Sequence, residues 1–208
     1  MFLLNSRQPM LWLANGSADG QLMTAPATKT IARNFVFRNS FRGPTSNKWC
    51  LDKDDGSSNY LADGNVLMYG AIKARDGLWR IAQNNLLMFP DLMPFEDTTN
   101  TKMAMAFQVN GFAFDFFVNN TVVSTLGEAY NCGGGGGFPR ANVSNLRINS
   151  FLIINGTLPM PKPEAGCSNA SSFADWQALG FDAGSRQQAL EATDEALVQL
   201  ARSWLPLI

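Results

Sequence analysis

The fold of this chain is decided by a short stretch, Ile81-Ala-Gln-Asn84-Asn-Leu-Leu87, whose pattern recurs four more times. An apolar residue is followed by two variable residues, then Asn or Gly, two further variable residues and a second apolar residue. Asn and Gly enter the left-handed backbone region at the least cost, so each pattern predicts a corner between two short strands. The five central residues are Asn34, Gly64, Asn84, Asn119 and Asn149.

Corners that recur along a chain indicate a coil. The shortest interval, from Gly64 to Asn84, has room for three short strands and their bends, the size of one rung of a parallel β-solenoid. The alternative is an antiparallel sandwich, but regular turn spacing and two-residue hairpins are rare here. We therefore predict an all-β parallel solenoid of about five rungs, with one buried column formed by Phe37, Leu67, Leu87, Val122 and Leu152.

The chain divides into three predicted regions. Residues 1–29 form an irregular lead-in, residues 30–157 the rungs, and residues 158–208 a linker and a C-terminal helical segment packed on the coil. Ser185 and Gln188 fit a capping box, and apolar residues follow at helical spacing until Pro206. A partner-binding role for this helix is the alternative. Because an uncapped first rung exposes strand edges, we also expect further rungs before Thr30 in the natural protein, or self-association.

Composition excludes several classes of function. The net charge is −1 and the 16 positive charges are scattered, so no nucleic-acid partner is expected. Histidine is absent, which removes the usual general base and the commonest zinc ligand. No stretch approaches the length of a membrane span, and the apolar run Met1-Phe-Leu-Leu4 is too short for a signal peptide.

Three cysteines, an odd number, imply neither a disulfide framework nor a zinc site. Sequons for N-glycosylation fit a secreted eukaryotic chain, although a protein rich in Asn corners also generates such triplets by accident. The sequons begin at Asn15, Asn119, Asn142, Asn155 and Asn169.

Charged residues cluster in two segments that align when Gly56 is set over Gly77. The segments are Trp49-Cys-Leu-Asp-Lys-Asp-Asp-Gly-Ser-Ser-Asn-Tyr60 and Gly70-Ala-Ile-Lys-Ala-Arg-Asp-Gly-Leu-Trp-Arg80. Neighbouring rungs lie about 4.8 Å apart, so the alignment predicts close pairs. The pairs are Asp52 with Lys73, Asp54 with Arg75, and Asp55 with Asp76. The first two are equally explained as salt bridges on an outer face.

The third pair joins like charges, Asp55 and Asp76. Two neighbouring carboxylates repel, so one should keep its proton to higher pH while the other stays ionised. That division of labour suits a general acid and a nucleophile or base, and about 5 Å is near the separation in retaining glycosidases. Alternatively, both carboxylates bind a cation such as calcium, or they turn apart into solvent.

The two aligned segments resemble a run in secreted right-handed parallel β-helix proteins of the pectate-lyase-like superfamily, many of them glycoside hydrolases or polysaccharide lyases. That run reads roughly L-D-x-D-D-G-S-S-N-Y and then G-x-x-K-x-R-E-G-x-x-R. Residues 172–185 resemble the segment that follows the last rungs in that group. The resemblance covers residues 30–185 and implies a right-handed, extracellular coil. It also implies that this coil faces carbohydrate, with Asp54, Asp55, Lys73, Arg75 and Arg80 in or near a cleft.

The chain departs from that group at several positions. Residues 88–95 contain no histidine where members have a His-containing stretch, and Asp76 stands where members have Glu. The extended segment that follows Ser185 in that group is replaced by the predicted helix. The same residues are therefore also compatible with an inactive fragment.

We formulate three hypotheses of function, all with polysaccharide as the partner. In a hydrolase, Asp55 and Asp76 share the acid and the base or nucleophile roles, with Asp54 as a further catalytic candidate. Lys73 and Arg75 then hold substrate groups, and Trp49 or Trp79 stacks on a sugar. Asp52 and Arg80 complete the expected binding residues.

The second hypothesis is a non-catalytic glycan-binding or structural β-helix, in which the charges only tie rungs together. The third is a lyase, in which Lys or Arg abstracts a proton beside a carboxylate that calcium neutralises. No cofactor is required by the first two hypotheses, and no residue is assigned as a metal ligand.

Overall fold

A computed structural model describes residues 29–37, 49–53, 58–74, 80–90, 107–110, 115–125, 130–133, 146–154, 170–190 and 193–204. The predicted lead-in and linker fall almost entirely outside these ranges. The strands in the first half are β1 (Lys29–Ala32), β2 (Phe35–Phe37), β3 (Trp49–Lys53), β4 (Tyr60–Asp63), β5 (Val66–Met68), β6 (Ala71–Ala74), β7 (Arg80–Gln83) and β8 (Leu86–Met88).

The second half contributes seven further strands and two helices to the described part. The strands are β9 (Phe107–Asn110), β10 (Phe116–Val118), β11 (Thr121–Ser124), β12 (Tyr130–Gly133), β13 (Leu146–Arg147), β14 (Ser150–Ile154) and β15 (Arg186–Leu190). The helices are α1 (Phe173–Ala178) and α2 (Asp194–Trp204). Neither helix is long and apolar enough to cross a membrane.

The strands form three parallel sheets. Sheet A has the order β1-β4-β7-β10-β13, sheet B the order β2-β5-β8-β11-β14-β15, and sheet C the order β3-β6-β9-β12. Through most of the chain each strand pairs in parallel with the strand three places later, so the chain visits sheets A, B and C in turn. The prediction of an all-β fold built from parallel strands is confirmed.

Sheets A and B meet at the corners that the sequence pattern predicts. Gly64, Asn84 and Asn119 have positive φ values of 65°, 54° and 53°, as expected for central corner residues. In the first and last corners the prediction is one residue too late, because Arg33 and Ile148 have the positive φ instead. Strand register explains the difference: Phe35 pairs with Val66, which sets Asn34 opposite Asn65 rather than Gly64.

The predicted buried column is correct at its centre and wrong at its ends. Leu67, Leu87 and Val122 are paired in register and almost fully buried. Val36 and Phe151 complete this column. Phe37 and Leu152 instead belong to the column of Met68, Met88 and Val123. A shift of one residue along a strand moves a side chain to the opposite face of the sheet.

Two apolar clusters lie on opposite faces of sheet B. The inner cluster joins sheets A, B and C and includes Leu67, Ile72, Leu87, Phe117 and Trp176. The outer cluster contains Val66, Leu86, Met88, Val123 and Ile154, and residues of α2 pack against it. These residues of α2 are Leu197, Leu200, Ala201 and Trp204. In the described residues, α2 therefore lies against the outer face of sheet B.

The predicted start of that helix is wrong. Residues Arg186–Leu190 form β15, which pairs with β14 at the edge of sheet B. Ser185 therefore caps no helix, and its hydroxyl donates to Asp182 Oδ1 at 2.7 Å. The helix begins at Asp194, and Thr193 Oγ1 accepts the backbone N–H of Ala196 at 3.2 Å.

Candidate functional site

The residues predicted to form the site lie on and beside sheet C. Lys73 lies in β6 and Arg80 begins β7. Trp49 and Asp52 lie in β3, where the structure describes their backbone. The other predicted site residues fall outside the described ranges: Asp54, Asp55, Arg75, Asp76 and Trp79.

The register of sheet C confirms the predicted alignment for residues 51–53, whereas a register shift sets Trp49 opposite Ala71 rather than Gly70. Asp52 pairs with Lys73, and Leu51 pairs with Ile72, as setting Gly56 over Gly77 requires. Ile72 is fully buried and Leu51 packs against the same inner cluster, which confirms that both face inward.

The register also constrains the two connections that leave sheet C. The first connection joins Lys53 to Tyr60 through residues 54–59, and the second joins Ala74 to Arg80 through residues 75–79. Lys53 pairs with Ala74, and Tyr60 pairs with Arg80. The first connection is therefore one residue longer than the second. The predicted pairing of Asp55 with Asp76 lies outside the described residues.

A polar column runs along sheet C. Asp52 pairs with Lys73, Lys73 with Gln108, and Gln108 with Asn131. The column on one side is apolar and includes the buried Ile72, and on the other side the buried Ala74 lies between Lys53 and Val109. Lys73 itself is half-buried, so the column containing it alternates with the core columns as an outer face does.

Arg80 forms a buried ion pair with Asp115. Its Nε donates to Asp115 Oδ1 at 2.8 Å and an Nη donates to Oδ2 at 2.7 Å. Both side chains are only 1% exposed. Arg80 begins β7 directly after the connection of residues 75–79, and Asp115 directly precedes β10. A buried, ion-paired guanidinium is better suited to stabilising the start of β7 than to contacting a sugar.

Asparagines directly after the positive-φ residues of the corners form a hydrogen-bonded ladder that was not predicted from the sequence. In four successive steps, the backbone N–H of one Asn donates to the side-chain oxygen of the Asn at the next corner, at 2.9–3.1 Å. The ladder consists of Asn34, Asn65, Asn85, Asn120 and Asn149. The signal was present in the sequence, because each residue with positive φ at these corners is followed directly by Asn.

The ladder ends on a buried carboxylate, Asp182. Its Oδ1 accepts from Asn149 Nδ2 at 2.9 Å, and its Oδ2 accepts from Trp176 Nε1 at 2.9 Å. Burial raises the pKa of Asp182, although these hydrogen bonds act in the opposite direction. Burial and the adjacent Asp182 also raise the pKa of Tyr130 well above its usual value. Because this cluster is buried, we assign it to the end of the ladder rather than to a reaction.

Metal binding finds no support among the described residues. They contain no group of three or more Asp, Glu, Cys or His side chains that could hold an ion.

Comparison with protein-family models, curated proteins and solved structures finds no match to this chain.

Proposed function

We propose that this chain is a right-handed parallel β-helix that binds polysaccharide along the outer face of sheet C and hydrolyses it. The three-strand repeat of sheets A, B and C supports the coil, because each circuit adds one parallel strand to every sheet. The right hand follows from the twist of β-strands, which makes nearly all parallel crossover connections right-handed.

The observation that carries the proposal is the pairing of Asp52 with Lys73. In this proposal the two charged connections continue that register on neighbouring rungs. Asp55 and Asp76 then lie about 4.8 Å apart in the proposed coil, close to the carboxylate separation of retaining glycosidases.

In the proposed reaction, one of the two carboxyl groups keeps its proton because the other is ionised nearby. The protonated group donates to the glycosidic oxygen as the bond to the sugar breaks. The ionised group attacks the anomeric carbon or activates a water molecule. Lys73 and Arg75 hold substrate hydroxyls or carboxylates, and Trp49 or Trp79 stacks on a sugar ring.

The polar column of sheet C supplies the binding surface in this proposal. The register places one polar residue on each of four successive rungs, Asp52, Lys73, Gln108 and Asn131. Amide, ammonium and carboxylate groups at regular spacing are suited to hydrogen-bonding the hydroxyl groups of an extended glycan.

One observation favours the non-catalytic alternative. Arg80 is committed to a buried ion pair with Asp115, which removes one residue from the predicted set of glycan contacts. In that alternative, the polar column binds glycan and the pair of Asp55 and Asp76 performs no reaction.

The test is a panel of neutral and acidic polysaccharides incubated with the full chain, with and without calcium. Hydrolysis releases reducing ends, whereas a lyase also forms an unsaturated product that absorbs ultraviolet light. We expect reducing ends only, and no release by Asp55→Asn or Asp76→Asn. Asp194→Asn serves as the control, because this exposed carboxylate lies in the first turn of α2.

Each contrary outcome has a defined meaning. Calcium-dependent formation of an unsaturated product would contradict the hydrolase hypothesis and support the lyase hypothesis. Glycan binding without release of sugar by any variant replaces the enzyme with a binding protein. Loss of activity in Asp194→Asn to the same extent as in Asp76→Asn contradicts the assignment of the catalytic pair.

A further inference from the structure

The corner between β10 and β11 contains Asn119, an exposed asparagine that lies next to the buried asparagine ladder but is not part of it. Asn119 is exposed and has a φ of 53°, whereas the next residue, Asn120, is 1% exposed. The triplet Asn119-Asn120-Thr121 is an N-glycosylation sequon. Of the five sequons in the chain, it is the one whose acceptor lies in the part that the structure describes.

We propose that Asn119 is an N-glycosylation site, with an oligosaccharide attached at its Nδ2 atom. The donor class is a lipid-linked glycosyl pyrophosphate. The bond between the sugar C1 and the pyrophosphate oxygen breaks, a bond between C1 and Nδ2 forms, and the nitrogen loses one proton. The lipid pyrophosphate leaves, and no oxidant or reductant is required.

The geometry of Asn119 accommodates this modification. Its Nδ2 donates to Asn84 Oδ1 at 2.8 Å. A glycosylated amide nitrogen retains one N–H, so this hydrogen bond between neighbouring rungs can persist while the sugar replaces the other hydrogen. The modification would thus leave the stacking of the corner unchanged.

The surface beside Asn119 also suits a carbohydrate. Ile148 occupies the equivalent corner position on the next rung, since Asn119 N donates to Arg147 O at 3.1 Å. Its side chain is 52% exposed. The first sugar of an attached glycan would cover this side chain with the apolar face of its ring.

The neighbouring asparagine shows why the site is specific to residue 119. Asn120 Oδ1 accepts from the backbone N–H of Asn85, and Asn120 Nδ2 donates to Ala82 O at 2.9 Å. Both ends of its amide are therefore used inside the ladder. A sugar on this nitrogen would not fit in the core.

The experiment uses the full 208-residue chain, translated behind a cleavable secretion signal into microsomes that contain oligosaccharyltransferase. Peptide N-glycosidase in heavy-oxygen water converts each glycosylated Asn into labelled Asp, which mass spectrometry locates. We expect label at residue 119 in the wild-type chain. Thr121→Val should abolish it because it removes the sequon hydroxyl while keeping a β-branched shape, and Thr121→Ser should retain it.

The proposal is overturned by an unlabelled residue 119 in the wild-type chain, whether or not other sequons carry label. It is also overturned if Thr121→Val keeps the label. A second measurement tests the fit of the glycan to the fold. The glycosylated chain should unfold in urea at a midpoint no lower than that of the chain made without microsomes, and a lower midpoint contradicts the proposed accommodation.

Discussion

Asn120 holds Asn85 by two hydrogen bonds at once. Its Oδ1 accepts the backbone N–H of Asn85 and the side-chain Nδ2 of Asn85, both at 2.9 Å. The two residues are 35 positions apart in sequence and directly precede the paired strands β8 and β11. Both residues are buried, so a donor or acceptor that lost its partner there could not hydrogen-bond to water instead.

We therefore expect Asn120→Ala to destabilise the protein by at least about 1–3 kcal/mol, the cost of leaving one buried polar group unsatisfied. Urea unfolding measures the change. Gln83→Ala is the control, because Gln83 is only half-buried, and it should change stability by less than about 0.5 kcal/mol. Equal effects of the two substitutions would show that the ladder contributes nothing specific.

Truncation of a core leucine provides a second test of the sheet arrangement. Leu87 is fully buried in the inner cluster, so Leu87→Ala should cost about 2–5 kcal/mol in unfolding free energy. Val198→Ala is the matched control, because Val198 is 44% exposed on α2. We expect the control to cost less than about 0.5 kcal/mol. A small cost at Leu87 would contradict its place in the core.

The ion pair of Arg80 and Asp115 should show strong coupling. Arg80→Met alone leaves a buried carboxylate without its partner and should cost about 3–5 kcal/mol, and Asp115→Leu should behave similarly. The double variant should cost much less than the sum of the two, because it leaves no isolated charge in the interior. A double-mutant cycle from urea unfolding measures this coupling. Additive effects would mean that the two side chains do not interact.

Stability should depend on pH through Asp182 in a defined direction. Burial raises its pKa in the folded protein, so the folded state holds the proton more tightly than the unfolded chain does. Its contribution is fully present below the unfolded pKa of about 3.9 and is lost as the pH rises through the folded value. The stability of the wild type relative to Asp182→Asn should therefore fall as the pH rises above about 4.

Asp175 provides a control of opposite sign for that measurement. Hydrogen bonds from Ser172 and Ser171 lower the pKa of Asp175. Its contribution is present above the unfolded pKa and is lost as the pH falls through the folded value. The wild type should therefore lose stability relative to Asp175→Asn on acidification. If the stability of the wild type relative to Asp182→Asn also falls on acidification, the hydrogen bonds to Asp182 lower its pKa by more than burial raises it.

Glycan turnover should separate Asp54 from the other two predicted carboxylates. Asp54→Asn weakens only the predicted pairing with Arg75 and should cost about 1 kcal/mol or less if that pair is exposed. Turnover in the polysaccharide assay should largely survive this substitution, whereas Asp76→Asn abolishes it. Complete loss of turnover in Asp54→Asn, with urea unfolding unchanged, would instead make Asp54 one of the catalytic pair.

The sequence by itself determined the class of fold and most of the corners. Alternating apolar residues and the cost of positive φ are local properties, so the strands beside Gly64, Asn84 and Asn119 could be predicted from short windows. The pairing of Asp52 with Lys73 could also be predicted, because the two segments share one spacing of charged and glycine residues.

Only the tertiary structure decided the exact partners across rungs. A shift of one residue in register exchanges the inner and outer faces of a strand. The residues that fix this register lie 20 or more positions away in sequence. Residues 186–190 form β15 because the edge of β14 offers backbone partners that outweigh their local preference. The burial of Arg80 was likewise decided by tertiary structure, because Asp115 is 35 residues away in sequence and contacts Arg80 only when the strands pair.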